Sequence, residues 1–196
     1  MDCTNLIDKR LDAHLETIAA LREDAVLKAA VGEAVEVITE CFRNGGRVYF
    51  CGNGGSAADA QHLAAEFSGR FYFDRPVLPA DALHCNTSYL TAVANDYGYD
   101  RIFARLISGL GREGDILVGL STSGNSSNIV AAFEVCREKG VKTIAMTGAG
   151  EGRMKPLADL LINVPSTDTP RIQEAHITIG HIICEMVEKA IFGEKK

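Results

Sequence analysis

Two short apolar runs, each followed by a loop of small residues and then by a helical stretch, constrain the fold of this chain most strongly. The run at residues 47–51 leads into loop 52–56 (GNGGS), and the run at 115–120 leads into loop 121–127 (STSGNSS). Buried runs that alternate with helices are typical of parallel sheets covered on both faces. The chain is therefore predicted to be an α/β protein.

The rest of the chain supplies further elements of the same kind. Residues 141–147 and 159–164 are two more apolar runs, and residues 82–84 are a candidate short strand. Residues 171–192 are predicted to close the chain as a long helix. No low-complexity linker interrupts the sequence, so we predict a single domain over residues 1–196.

Residues 1–45 are predicted to form a helical N-terminal extension that contains two helices. The first helix has an apolar stripe at alternating spacings of four and three residues, and the second ends near Gly45 and Gly46. The stripe consists of Ile7, Leu11, His14, Ile18 and Leu21. Such a stripe packs either on the chain's own core or on a partner subunit, and the sequence leaves both interpretations open.

Composition excludes several classes of protein. The chain is 46% hydrophobic and 23% charged, as in a globular protein and not in a disordered one. The formal net charge of −6, without a basic cluster, argues against nucleic acid as a partner. With no signal peptide and no apolar run long enough for a membrane span, we expect no membrane partner and a cytoplasmic location. The six cysteines form no C-x-x-C pair, which argues against a zinc finger or a disulfide framework.

The two loops are suited to hold an anion. Ligands of open parallel sheets bind beyond the carboxyl ends of the strands, where glycines admit a ligand and a following helix N-terminus favours negative charge. Loop 121–127 adds five hydroxyl groups and no Lys or Arg, which suits a phosphate held by neutral hydrogen bonds. The sequence has no P-loop motif. Ordinary helix caps are the alternative, for example a capping box at Ser56 and Asp59.

A dinucleotide site is a second alternative for the first loop. Gly52, Gly54 and Ala57 match the Rossmann fingerprint, and Asp74 lies at a suitable distance. A Rossmann unit needs a strand that ends at this acid and a helix that follows it. Because the next residues, RPVLP (75–79), resist helix formation, we favour the phosphate interpretation.

Several short motifs make the chain similar to a known family. The segments CGNGGS (51–56) and GLSTSGNS (119–126) resemble the two phosphosugar-binding loops of the sugar isomerase (SIS) family. Further motifs narrow the resemblance to the phosphoheptose isomerases over nearly the whole chain. They are DAQH (59–62), Glu66, GR (69–70), ND (95–96) and RIQExH (171–176). The resemblance implies a three-layer SIS fold with a central parallel sheet flanked by helices.

The resemblance also implies a function. Phosphoheptose isomerases convert the ketose sedoheptulose 7-phosphate to the aldose D-glycero-D-manno-heptose 7-phosphate, which feeds ADP-heptose synthesis for the lipopolysaccharide core. They are cytoplasmic homotetramers, and some bind one zinc ion per site. For this chain the resemblance implies an isomerase with a sugar-phosphate substrate, one zinc per subunit and a homotetrameric assembly.

Site residues follow from the same resemblance. The implied substrate contacts are Asn53, Gly54, Gly55, Ser56, Glu66, Asn95, Asp96, Ser121, Thr122, Ser123, Ser126 and Gln173. The implied metal ligands are His62, Glu66, Gln173 and His181, of which Glu66 and His181 are also the implied acid–base pair. Pro170 stands where some relatives have an acid, so no contact by that acid is implied here.

Aldose–ketose isomerisation needs these residue types. One proton moves between adjacent carbons through an enediol and another between their oxygens, which requires a base at the carbon and an acid–base group at the oxygens. We expect Glu66 to take the carbon proton and His181 to serve the oxygens. His62 and Glu66, four residues apart on a predicted helix, share one face and can join in a metal site. By composition His176 is as good a candidate as His181, and only the resemblance prefers His181.

Helix geometry predicts a site shared between subunits. Gln173 and His181 are about 12 Å apart along one helix and about 80° apart around it. One copy of that helix would be strained to place both side chains on one metal. We therefore predict sites at subunit interfaces, with a neighbouring subunit as a candidate donor of His181.

Two other functions stay open. A non-catalytic SIS module that binds a phosphosugar or associates with a replication initiator would keep both loops. The initiator-binding relatives lack a carboxylate at the position of Glu66, so its presence favours catalysis. A five- or six-carbon sugar phosphate is another candidate substrate, because nothing in the sequence measures the distance from the phosphate to the carbonyl.

Overall fold

The structure, a computed structural model, describes residues 3–193 as a parallel sheet flanked by helices. The strands are β1 (Val48–Gly52), β2 (Ala80–Ala82), β3 (Ile116–Leu120), β4 (Lys142–Thr147) and β5 (Leu160–Asn163). The helices are α1 (Cys3–Glu23), α2 (Ala25–Arg43), α3 (Gly55–Ser68), α4 (Thr87–Tyr97), α5 (Ile102–Leu110), α6 (Ser127–Lys139) and α7 (Thr169–Phe192). Short 3₁₀ turns occupy Tyr99–Arg101 and Gly152–Leu157.

The order of the strands sets where a ligand can bind. The sheet runs β2-β1-β3-β4-β5, and each neighbouring pair is parallel. The chain leaves β1 toward β2 on one side and then returns to place β3 on the other. In sheets of this order, ligands bind in the crevice at the carboxyl ends of β1 and β3. Gly52 is in register with Leu120, so the loops after these two strands begin side by side.

Most of the predicted elements are confirmed, but one predicted strand is displaced and one alternative interpretation is wrong. The strand predicted at residues 82–84 lies two residues earlier, because Ala80 and Ala82 are the residues that pair with Val48 and Phe50 of β1. No strand ends at Asp74, which lies in an irregular segment between α3 and β2, so the dinucleotide alternative is wrong. Helices α4 and α5 cover a region for which the sequence analysis predicts no element.

The sheet separates two hydrophobic layers. Alternate residues of β1 point to opposite faces, so Val48 and Phe50 pack with α2, α3 and α7, while Tyr49 and Cys51 pack with α5 and α6. Helix α2 buries a full side, including Ile38, against the first layer. It is therefore an integral part of the packed core. The predicted domain of residues 1–196, with 1–45 as an extension, stays a prediction, and it includes residues 1–2 and 194–196, which lie outside the described residues.

Helix α1 is attached to the core mainly by its second half. Ile18 and Leu21 pack against the first hydrophobic layer, and Nδ1 of His14 lies 2.8 Å from a carboxylate oxygen of Glu174 on α7. The first part of the apolar stripe is solvent-exposed in this single chain. The exposed apolar residues are Leu6, Ile7, Leu11 and Leu15. Within residues 3–193, no helix combines the length and the apolar character that a membrane crossing would need.

Candidate functional site

The loop after β1 ends in a helix whose first N–H groups have no side-chain cap. Helix α3 begins at Gly55, two residues earlier than predicted, and its N-cap is Gly54 with φ 57°. Ser56 therefore lies inside the helix and is only 3% exposed, so the capping-box alternative is wrong. Gly52 is required by the close approach of the helix, since a Cβ there would lie 2.3 Å from the carbonyl oxygen of Ser56. The N-terminus of α3 is thus open toward an anion.

The loop after β3 offers hydroxyl groups at the start of α6. The Oγ atoms of Ser121 and Ser126 are 2.8 Å apart, and Ser126 is the N-cap of α6 without a side-chain capping bond. Thr122 is half-buried and Ser123 is exposed. Gly124, with φ 66°, lets the loop approach residues 151–152, where a Cβ would meet the carbonyl oxygen of Glu151. The loop can therefore hold an anion by neutral hydrogen bonds and the helix N-terminus.

A pair of side-chain amides connects the two loops. Nδ2 of Asn53 donates to Oδ1 of Asn128 at 3.0 Å, and Nδ2 of Asn128 donates to Oδ1 of Asn53 at 2.9 Å. The hydroxyl of Tyr99 also donates to Oδ1 of Asn53 at 3.1 Å. Asn128 is the second residue of α6 and only 2% exposed. The amide pair thus holds the first loop against the helix that follows the second loop.

Glu66 and two histidines form a cluster between α3 and α7. Nε2 of His62 lies 3.3 Å from Oε1 of Glu66 and 2.9 Å from Nε2 of His181. The aromatic ring of Phe71 flanks His181 with the ring centroids 5.9 Å apart. A neutral imidazole donates through one nitrogen and accepts through the other, so this cluster can hold a proton and pass it on.

A further carboxyl group faces this cluster. One carboxyl oxygen of Asp59 is buried without a hydrogen-bond partner within residues 3–193. Burial raises the pKa of Asp59 above its ordinary value, although the nearby imidazoles of His62 and His181 act in the opposite direction. Two carboxyl groups and two imidazoles therefore lie near one another between α3 and α7.

An ion pair between Arg75 and Glu188 anchors the surroundings of Glu66. Both side chains are almost fully buried, with Nε of Arg75 2.8 Å from Oε1 of Glu188. Arg75 also donates to the backbone carbonyl of Glu66 at 2.9 Å. Glu188 accepts the N–H groups of the three residues 71–73. Burial by itself would raise the pKa of Glu188, but these donors together with Arg75 outweigh it and hold the pKa below its ordinary value.

The remaining candidate residues lie in three different environments. Gln173 lies against the first loop, since a Cβ on Gly55 would meet its side-chain amide at 2.7 Å. Asn95 and Asp96, at the end of α4, are exposed, and Nδ2 of Asn95 donates to Oδ1 of Asp96. His176, the other candidate in α7, is fully buried, and its Nε2 lies 3.2 Å from the carbonyl oxygen of Thr147.

His181 already lies beside His62 within one chain, and its donation by a neighbouring subunit stays a prediction. His181 lies against His62 of the same chain, so one chain brings His62, Glu66 and His181 together. Gln173 lies against Gly55, which is about two helical turns before His62 on α3. The strain predicted from helix spacing therefore concerns Gln173 rather than His181.

The donor types of the cluster suit zinc, and two of its contacts have nearly the spacing of zinc ligands. Zinc binds imidazole nitrogen and carboxylate oxygen at about 2.0–2.2 Å, so neighbouring tetrahedral ligands lie about 3.3 Å apart. The two contacts made by Nε2 of His62, at 2.9 and 3.3 Å, are near this spacing. Within residues 3–193, however, no three His, Cys, Asp or Glu side chains form a complete metal-binding group. The side chains of His62, Glu66 and His181 would therefore have to rearrange before they could hold an ion together.

Three residues near these groups were not predicted from the sequence. Asn128 directly follows the hydroxyl-rich loop, which is a signal that sequence analysis could have used. Asp59 precedes His62 by three residues on the same helix face, which is a second usable signal. Tyr99 lies 46 residues from its partner Asn53, and no local pattern marks it.

The chain resembles known proteins throughout its length. The SIS domain family matches residues 12–148. The chain is 50% identical over 189 residues to a phosphoheptose isomerase from Aneurinibacillus thermoaerophilus, with 96% of each chain covered. It is 59% identical over 162 residues to a phosphoheptose isomerase from Rhodospirillum rubrum, covering 83% of this chain and 86% of that relative. A solved phosphoheptose isomerase from Francisella tularensis aligns with a TM-score of 0.92 at 34% identity, over 96% of this chain and 100% of that one.

Proposed function

We propose that this chain, which belongs to the phosphoheptose isomerase family of SIS-domain proteins, interconverts sedoheptulose 7-phosphate and D-glycero-D-manno-heptose 7-phosphate. It is an isomerase, as its similarity to these relatives over nearly its whole length indicates. The observation that carries the proposal is the cluster of Glu66 with His62 and His181. A module that only bound a phosphosugar would need no such group.

The phosphate of the substrate is proposed to bind at the loop after β3. The hydroxyls of Ser121, Thr122, Ser123 and Ser126 can donate to phosphoryl oxygens, and the uncapped N-terminus of α6 favours the negative charge. Asn53, Gly54 and Gly55 are proposed to contact the substrate from the neighbouring loop. Ser56 would contribute mainly through the helix backbone, since its side chain is almost fully buried. Contacts from Asn95, Asp96 and Gln173 are part of the same proposal.

Proton transfer is proposed to use Glu66 and His181. The carboxylate of Glu66 takes the proton from C1, next to the ketose carbonyl, which leaves an enediol as the intermediate. It then returns the proton to C2, which gives the aldose. His181 moves the proton between the two oxygens. His62 orients Glu66 and lies against His181, which supports a shared role in holding these protons.

Zinc is proposed as the cofactor, held by His62, Glu66, His181 and Gln173, one ion per subunit. A bound zinc ion would polarise the substrate carbonyl and stabilise negative charge on its oxygen. The two imidazoles and the carboxylate support this proposal by their donor types and spacing. Gln173 would have to reach the ion from its place at the first loop.

A homotetramer with sites at its interfaces is proposed as the working form. The exposed apolar residues of α1 give the chain a surface that a second copy can cover, in line with the partner-subunit interpretation of the stripe. The side chain of His62 is 48% exposed, so the cluster is open to groups from a neighbouring subunit. A cytoplasmic location and a role in ADP-heptose synthesis for the lipopolysaccharide core complete the proposal.

The proposal is tested by assaying the purified protein against ketose phosphates of five to seven carbons, each with and without a chelator. We expect the highest kcat/KM with sedoheptulose 7-phosphate, loss of turnover on chelation and recovery on adding zinc. Turnover confined to five- or six-carbon substrates would reassign the substrate, and binding without any turnover would favour the non-catalytic module. Turnover that survives exhaustive chelation would contradict the zinc proposal alone.

A further inference from the structure

Protein groups occupy three of the four hydrogen-bonding positions of the Asn53 side-chain amide. Its oxygen has two lone pairs, and these accept from Asn128 and from Tyr99 at 2.9 and 3.1 Å. One of its two N–H groups donates to Asn128 at 3.0 Å. The other N–H has no partner within residues 3–193. Asn53 is half-buried at the first loop, so this remaining N–H is available to a ligand.

We infer that Asn128 is a positioning residue that, with the help of Tyr99, holds Asn53 as a one-way hydrogen-bond donor toward the substrate. The inference rests on the proposed contact between Asn53 and a sugar phosphate. It adds the direction of that contact: Asn53 donates, so the substrate atom that it meets is an acceptor oxygen of the phosphoryl group or the sugar. Turning over the Asn53 amide alone would break both bonds to Asn128, because oxygen would then face oxygen and nitrogen would face nitrogen.

The amide pair also sets the distance between the two loops. Asn53 follows β1 directly, whereas Asn128 lies in the first turn of α6, one residue after the N-terminus that ends the second loop. The residues are 75 positions apart in sequence, so this link exists only in the folded crevice between β1 and β3. Because Asn128 is 2% exposed, water does not readily replace its bonds.

The experiment compares four variants with two matched controls. The variants are Asn128→Ala, Asn53→Ala, the double variant of both, and Tyr99→Phe. The controls are Asn44→Ala, an exposed asparagine bonded to Glu40 at the opposite end of the sheet, and Tyr97→Phe, whose ring lies under Arg105. Thermal melting of each variant identifies any loss of folding.

For sedoheptulose 7-phosphate we expect Asn128→Ala to raise KM about tenfold and to change kcat less than threefold. The double variant should bind no more weakly than Asn53→Ala alone, because Asn128 acts through Asn53. A purely structural role would instead make the two losses multiply. Tyr99→Phe should raise KM about twofold to threefold without affecting melting, and both controls should match the wild type.

Unchanged KM in Asn128→Ala and Tyr99→Phe, or multiplied losses in the double variant, would overturn the inference. Tyr99→Phe keeps the test decisive even where Asn128→Ala does not fold, because Tyr99 is exposed and its ring stays in place. Calorimetric binding of sedoheptulose 7-phosphate in a Glu66→Gln background repeats the comparison without turnover. Binding that follows the expected order in a protein with no wild-type turnover would refute the proposed reaction and leave the role of Asn128 intact.

Discussion

The loop after β3 and the cluster between α3 and α7 are built in opposite ways. The loop presents four neutral hydroxyls within the six residues 121–126, and its Ser121–Ser126 contact spans only five positions. The cluster carries titratable groups, and its contact between His62 and His181 joins residues 119 positions apart. Holding an anion needs little more than a strand end and a helix start, whereas placing acid–base groups depends on the packing of distant helices.

The largest effect is expected when the cluster loses its carboxylate. Glu66→Gln should lower kcat about 10³-fold, because a positioned general base contributes typically 10²–10⁴-fold, while binding of the sugar phosphate stays within about threefold. Steady-state kinetics and calorimetry measure the two quantities. The control is Glu134→Gln on the exposed side of α6, which should behave as the wild type. Retained turnover in Glu66→Gln would show that the cluster does not carry the chemistry.

The second prediction concerns the buried ion pair between Arg75 and Glu188, which stabilises the region around Glu66. Glu188→Ala should lower the free energy of unfolding by about 3–5 kcal/mol, because it leaves Arg75 charged and unpaired in the core. Urea denaturation measures the change. Glu185→Ala, which removes an ion pair with Lys189 at the surface of the same helix, should cost less than about 1 kcal/mol. If both variants lost the same free energy of unfolding, the buried pair would contribute no more to stability than the surface pair.

Burial of His176 in α7 should make the stability of the fold depend on pH. Burial lowers the pKa of His176 from 6.5 to about 4, so this residue stays neutral in the folded chain while the unfolded chain takes up a proton. Stability should therefore fall as the pH drops from about 6.5 to about 4, by about 3 kcal/mol from this group. His176→Gln has no such titration, so its unfolding free energy should depend less on pH over the same range. Parallel pH profiles for the two proteins would contradict this prediction.

The smallest effect is expected in the neutral loop. Ser126→Ala should raise KM about tenfold with little change in kcat, because a hydrogen bond to a charged group contributes about 1.5–3 kcal/mol. Ser108→Ala, which removes an exposed hydroxyl bonded to the backbone of α5, is the matched control and should leave KM unchanged. A fall in kcat at constant KM would remove the distinction between a binding loop and a catalytic cluster.

The parallel sheet and both loops could be predicted because their signals are local. A buried strand and its glycine or hydroxyl loop lie within about a dozen residues of one another, so apolar runs and turn residues mark them directly. Helix α4 was missed although Asn86, whose side chain accepts the N–H of Tyr89, is a usual cap residue. The position of β2 was displaced because pairing with β1, and not its own composition, sets where that three-residue strand begins.

The sequence alone determined the α/β class, the two anion-suited loops and the shared helix face of His62 and Glu66, because all of these depend on neighbours in the chain. Only the tertiary structure shows the different surroundings of His176 and His181, which lie five residues apart and so face about 140° away from each other around α7. Packing buries His176 beside Thr147 and turns His181 toward His62. The same packing joined Asn53 to Asn128, since side chains far apart in sequence meet only when the strands and helices that carry them have packed together.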